Sequence, residues 1–197
     1  MSYNKAYHKH FQGYVERDVI DPVTGKSHIE RIYADYYYKH DCDDAEWKKI
    51  KVRYGLIYCL SLVGFALQAV CGNTNVWFTG VPTALCMLAQ VWLGVHMVSY
   101  ISHPRLLEVR QYKGREPMKA ACMTVVVTNA LFALGQIVWM VLARMLYVPG
   151  IIVIAAEAVT SALCYRMYVT EREMDYVRIK NGREIPKDSY DIRYTEE

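Results

Sequence analysis

The sequence predicts an all-α integral membrane protein: a four-transmembrane-helix bundle built from two duplicated helical hairpins, with a small cytoplasmic β-hairpin and charged tails. Three observations predict it. The middle of the 197-residue chain holds four long apolar runs, although 22% of all residues are charged. Lys and Arg crowd the segments on one side of those runs and are scarce on the other. One charged phrase is written twice, as VRQYKGRE at 109–116 and VRIKNGRE at 177–184.

The apolar runs cover 54–71, 81–101, 120–142 and 148–165. About 20 mostly apolar residues cross a hydrocarbon core of roughly 30 Å. Helices of a soluble bundle would carry polar stripes at the helical period, and these runs carry only isolated polar residues. About fifty polar residues precede the first run, so it is expected to act as its own insertion signal. Lys48, Lys49, Lys51 and Arg53 stand before it, and Arg105, Arg110, Lys113, Arg115 and Lys119 fill the loop between the second and third runs. The opposite loops hold only Arg144. The positive-inside rule then places both termini in the cytoplasm, with the plasma membrane as the expected site and the inner membrane if the source is bacterial. The net charge of +3 gives no reason to expect nucleic acid. Six cysteines lie mostly in or beside the runs and read as small, reduced, buried residues rather than as a disulfide framework.

The repeat divides the chain into 1–47, 48–117, 118–186 and 187–197. Val81-Pro82 matches Val148-Pro149, and Phe65-Ala66-Leu67 matches Phe132-Ala133-Leu134, both at a shift of 67 residues, while the phrase itself lies at 68. Two hairpins of the same orientation would be related by an axis along the membrane normal. Both copies of the phrase read as the ends of helices. Gly114 and Asn181-Gly182 suit a left-handed cap, Pro117 and Pro186 follow to prevent resumption, and His103-Pro104 breaks the first extension. Ala158 and Ala162 give a small face for close helix packing.

In the first tail, Asp21-Pro22-Val23-Thr24-Gly25 is a turn between two runs with apolar residues, so a β-hairpin is expected over 14–33, with 190–194 as a further strand. Asp43 followed by Glu46 suits a helix start near Asp44. Tyr36, Tyr37 and Tyr38 suit an interfacial belt or a binding surface.

Glu157 is the residue of most chemical interest, since an ionisable group deep in an apolar run is a functional candidate by default. Gln90 is its repeat equivalent, and a Glu157–Gln90 hydrogen bond between helices is one expectation. Gln68, Gln136, Asn129 and His96 complete the intramembrane polar set. The cytoplasmic docking candidates are Arg105, Glu108, Arg110 and Arg115 after the second run, with Arg172, Asp175, Arg178 and Arg183 after the fourth. No catalytic, cofactor or metal signature emerges. Gly25-Lys26-Ser27 lacks the earlier glycine of a phosphate loop, and His8 with His10 has no converging ligands. The leading expectation is a non-enzymatic membrane anchor or scaffold subunit docking a protein partner on its cytoplasmic face. The alternative is a small oligomeric transporter or channel, proton- or cation-coupled through Glu157. A homodimer suits either.

Overall fold

The computed structural model describes residues 11–182 and the backbone of 190–191. The chain forms two compact units. The larger comprises 42–103 and 114–174. It holds α1 (Asp44–Cys71), α2 (Trp77–Ser102), α4 (Arg115–Ala143) and α5 (Val148–Glu173). All four helices are long and apolar enough to cross a membrane. At 26 to 29 residues and ~1.5 Å per residue, each exceeds the hydrocarbon thickness. Their outward faces are apolar: Val98 is 67% exposed, Val141 70% and Val159 60%.

Local chemistry sets the helix ends. Asp43 Oδ1 accepts from the Glu46 backbone N–H at 2.6 Å and starts α1. His103, with Pro104 behind it, ends α2. Arg144 takes a left-handed conformation at φ 49° and closes α4. The bundle therefore has one short-loop end, at 72–76 and 144–147, and one charged end. Pro82 does not begin α2 but lies inside it, and Pro117 does not block a helix but lies in the first turn of α4. A first-turn Pro is tolerated because its missing N–H would be unpaired anyway. Pro82 deprives the Phe78 carbonyl of its helical donor. Gly135 packs there so closely that a Cβ would come within 2.3 Å of that oxygen.

The helices pack in the ring order α1–α2–α4–α5–α1. The charged half of the bundle has an apolar core that includes Tyr54, Leu93, Met97, Met118, Val125 and Met167. A smaller core of Cys86, Phe132 and Val153 lies toward the short-loop end. Ala158 and Ala162 are exposed, so their small face is not used for packing within the chain.

The smaller unit comprises 1–41, 104–113 and 175–197. β1 (Tyr14–Ile20) and β2 (Ser27–Tyr33) pair antiparallel from Tyr14↔Tyr33 to Ile20↔Ser27. Gly25 at φ 65° completes the turn, and Asp21 side-chain oxygens accept from Thr24 Oγ1 at 2.7 Å and Val23 N at 2.9 Å. Those bonds hold the Asp21 carboxyl below its usual range. β6 (Tyr190–Asp191) joins the free side of β1. A second sheet has β3 (Tyr37–His40) between β4 (Leu106–Leu107) and β5 (Tyr176–Ile179), both antiparallel to it.

This arrangement corrects the reading of the repeated phrase. The first copy is helical as α3 (Val109–Lys113), whereas the second begins within strand β5. Gly114 is right-handed at φ −64° and lies between α3 and α4, not at a left-handed cap. The strand pairing equates Leu106-Leu107 with Val177-Arg178 across β3. Sheet pairing overrides the sequence match. Tyr37 and Tyr38 are strand residues within an aromatic cluster, where Tyr38 stacks on Tyr112 at 4.1 Å.

Candidate functional site

The interior of the larger unit carries polar side chains from all four helices. Midway along, Gln90 Nε2 on α2 donates to Ser61 Oγ on α1 at 2.6 Å. Asn129 Nδ2 on α4 donates to Thr160 Oγ1 on α5 at 3.3 Å. Thr160 Oγ1 in turn lies 3.3 Å from Glu157 Oε2. Asn129 Oδ1 accepts the weak Cys86 thiol donor at 3.6 Å. Nearer the short-loop end, Gln68 Nε2 donates to Thr83 Oγ1 at 3.3 Å. The buried Cys86, Phe132 and Val153 cluster lies between these two tiers, and Cys86 interacts with Asn129 of one and Gln68 of the other.

Five amide or carboxyl atoms in this interior have no hydrogen-bond partner among the described residues. They are Gln68 Oε1, Gln90 Oε1, Glu157 Oε1 and both amide atoms of Gln136. Each of the four helices contributes one of these side chains. All four residues are at most 4% exposed. The expected direct bond between Glu157 and Gln90 is not formed, because Gln90 turns to Ser61 and Glu157 to Thr160 on its own helix. His96 is outside the set: it is half-buried and accepts from Trp92 Nε1 at 2.8 Å.

The charged end holds a second constellation, and sequence reasoning missed its centre. Glu171 near the end of α5 is fully buried. Its Oε1 accepts from Arg115 Nε, and its backbone carbonyl accepts from Arg115 Nη2 at 2.7 Å. Its Oε2 accepts from Tyr54 at 3.2 Å and from Tyr100 at 3.1 Å. One residue from each helix thus joins in a clasp. Arg115, read from sequence as a surface docking residue, is only 7% exposed. A signal for Glu171 exists in the sequence. Val153, Glu157, Thr160, Cys164, Met167 and Glu171 recur at spacings of four and three, and all six are buried.

The other docking candidates fall in both units. Glu108 accepts from Tyr14 Oη at 2.7 Å in the smaller unit. Arg105 is half-buried there, and Arg110 and Asp175 are exposed. Arg178 lies 3.7 Å over the Tyr36 ring. Arg172 is exposed in the larger unit, and Arg183 lies outside the described residues. Tyr33 Oη accepts from Val109 N at 3.0 Å and donates to the Tyr36 carbonyl at 2.7 Å. Burial pushes its phenol up to about 12. Among the described residues no three His, Cys, Asp or Glu side chains converge as metal ligands.

No family model, no curated protein and no solved structure matches this chain.

Proposed function

We propose that the chain is a non-enzymatic integral membrane protein whose bundle is a small proton- or cation-linked transporter or channel, with Glu157 as the exchange site. The observation that carries this reading is the set of five unpartnered polar atoms on four helices. In hydrocarbon nothing outside the protein satisfies such atoms. Each costs roughly 2–7 kcal/mol against an apolar medium. A structural helix contact would commit the polar atoms of both partners to each other, whereas Gln90 gives Ser61 one N–H and leaves its Oε1 without a partner among the described residues. A proton or ion in transit instead uses uncommitted polar atoms spread along its route, and these five lie both beside Glu157, at Gln90 Oε1 and Glu157 Oε1, and nearer the short-loop end, at Gln68 and Gln136. The clasp of Tyr54, Tyr100, Arg115 and Glu171 would close the charged end in this state, and opening it would complete a path.

The test is proton flux into liposomes containing the purified protein, driven by an imposed membrane potential. Wild type should exceed Glu157→Gln by at least about tenfold, the rate equivalent of ~1.4 kcal/mol. Equal rates at the level of empty liposomes would sink the reading.

Two subsidiary proposals go with it. The charged ends of the helices, and hence both termini, face the cytoplasm of a plasma membrane, as the Lys and Arg distribution favours. The bundle also arose by duplication. In support, Val153, Glu157, Thr160, Cys164 and Met167 of α5 correspond at a shift of 67 to Cys86, Gln90, Leu93, Met97 and Tyr100 of α2, and all ten are buried. Co-expression of 1–113 and 114–197 as separate chains should then yield a complex, and persistent failure to associate would count against two autonomous hairpins.

A second reading, a scaffold for a cytoplasmic protein partner, is favoured by β5. It is the outer strand of its sheet among the described residues, and Val177 and Ile179 on it are exposed. Such an edge accepts a strand from another chain. Purification in mild detergent should retain a stoichiometric partner that is lost when 172–197 is deleted. Retention of the same partner after deletion would remove this reading.

A further inference from the structure

A groove of about 310 Å³ runs between α1 and α5 on the apolar flank of the bundle. Leu60, Val63 and Val159 line it and are each more than half exposed, at 51%, 57% and 60%. Its inner wall includes Gly64 and Thr160. Gly64 is required for that depth, since a Cβ there would come within 2.8 Å of the Thr160 methyl. Thr160 also faces inward, with its hydroxyl 3.3 Å from Glu157 Oε2. Glu157 is 3% exposed, and its Oε1 has no partner among the described residues. An apolar trough on the bundle flank therefore ends, one side chain further in, at a carboxyl group.

We propose that this groove is the lateral entrance and seat of a lipophilic cation, whose apolar body lies along the groove and whose charge is held by Glu157 behind Thr160. The inference rests on the exchange role proposed for Glu157 and names the class of cargo. Charge decides the occupant. A lipid tail gains little here, because lipid is as apolar as the groove. A cation dissolved in the membrane gains a counter-charge that the hydrocarbon lacks. The hydroxyl of Thr160 already has two alternative acceptors, the Glu157 backbone carbonyl at 3.1 Å and Oε2 at 3.3 Å. It can release the carboxylate without losing a hydrogen bond. The titratable groups facing this carboxyl are the thiols of Cys86 on α2 and Cys164 on its own helix, and a cation taking the carboxylate must displace any proton the group holds, so binding tightens with pH by up to about tenfold per unit.

The experiment uses the full chain in nanodiscs of zwitterionic lipid, with tetraphenylphosphonium as the probe and equilibrium dialysis as the readout. Proton flux is measured on the same preparations in liposomes. Saturable binding that tightens with pH, is abolished by Glu157→Gln and is weakened about tenfold or more by both Ala155→Phe and Val159→Trp would support the proposal. Ala155 and Val159 are exposed groove residues, so either variant fills the groove without repacking the core. Loss in Glu157→Gln but in neither groove variant would overturn the groove and leave the Glu157 reading standing. Equal binding by wild type and Glu157→Gln, or no binding, in protein with Glu157-dependent proton flux would overturn this inference alone. Absence of both binding and flux would overturn it together with the proposed function.

Discussion

Removing one member of the clasp at the charged end should be far more costly than removing two. Arg115→Met leaves the Glu171 carboxylate, which is 0% exposed, with two tyrosine hydroxyls and no counter-charge. Uncompensated buried charges of this kind cost about 3–5 kcal/mol. Glu171→Leu takes from the Arg115 guanidinium, itself 7% exposed, its carboxylate partner while leaving the bond to the residue-171 backbone carbonyl, so its cost should be the smaller of the two. The double variant removes both charges and keeps most of the packing, so it should recover to within about 2 kcal/mol of wild type, as buried pairs exchanged for apolar residues commonly do. Tyr54→Phe and Tyr100→Phe each delete one hydrogen bond to a charged acceptor and should cost about 1.5–3 kcal/mol. The assay is denaturation in mild detergent followed by tryptophan fluorescence, since Trp47 lies in the core on the charged half of the bundle. A cycle in which the single effects add, each below about 1 kcal/mol, would refute the clasp as a four-helix tie.

Three further outcomes are expected. Tyr33 should remain protonated in the fold until about pH 12, whereas an unfolded tyrosine ionises near 10. Stability from this group is thus complete below about pH 10 and lost between roughly 10 and 12, which phenolate absorbance of wild type against Tyr33→Phe would check. Gln136→Leu removes two unpartnered buried amide atoms and should raise stability by about 1–3 kcal/mol while lowering Glu157-dependent flux. A variant that loses stability would show that the amide is satisfied. In a chain with its six cysteines replaced, Asn73→Cys should react with an impermeant thiol reagent from outside the cell and His28→Cys should not. The reverse pattern would invert the proposed topology.

Much of the bundle was legible because the bilayer imposes a simple rule on sequence. Apolar length located α1, α2, α4 and α5, Asp43 marked the start of α1, and His103-Pro104 marked the end of α2. The runs understate the helices, since the first begins at Tyr54 while α1 begins at Asp44. Charged residues at helix ends lower local hydropathy without breaking hydrogen bonding. The hairpin at 14–33 was legible because its turn needs Pro22 and Gly25 in order.

Pairing was not legible. β3 pairs with Leu106-Leu107 just ahead of VRQYK and with YVRI itself, both far away in the chain, so one copy is left to form helix and the other is drawn into a strand. The polar set was found from sequence as residues, but not as contacts. Gln90 has Ser61 within reach on α1, and Glu157 has Thr160 one turn along its own helix. Glu171 was overlooked because a carboxylate among Thr170, Arg172 and Glu173 resembles an ordinary solvated helix end. Only its place in the stripe from Val153 distinguishes it.

As the proposed exchange site, the buried Glu157 carboxyl must trade protons with water through the polar interior. The most direct measurement is difference infrared spectroscopy of the protein in lipid across a pH titration, repeated in deuterium oxide. A carboxyl band that titrates, shifts on deuterium exchange and is missing from Glu157→Gln is the expected result. A Glu157 band that neither titrates nor exchanges would contradict it.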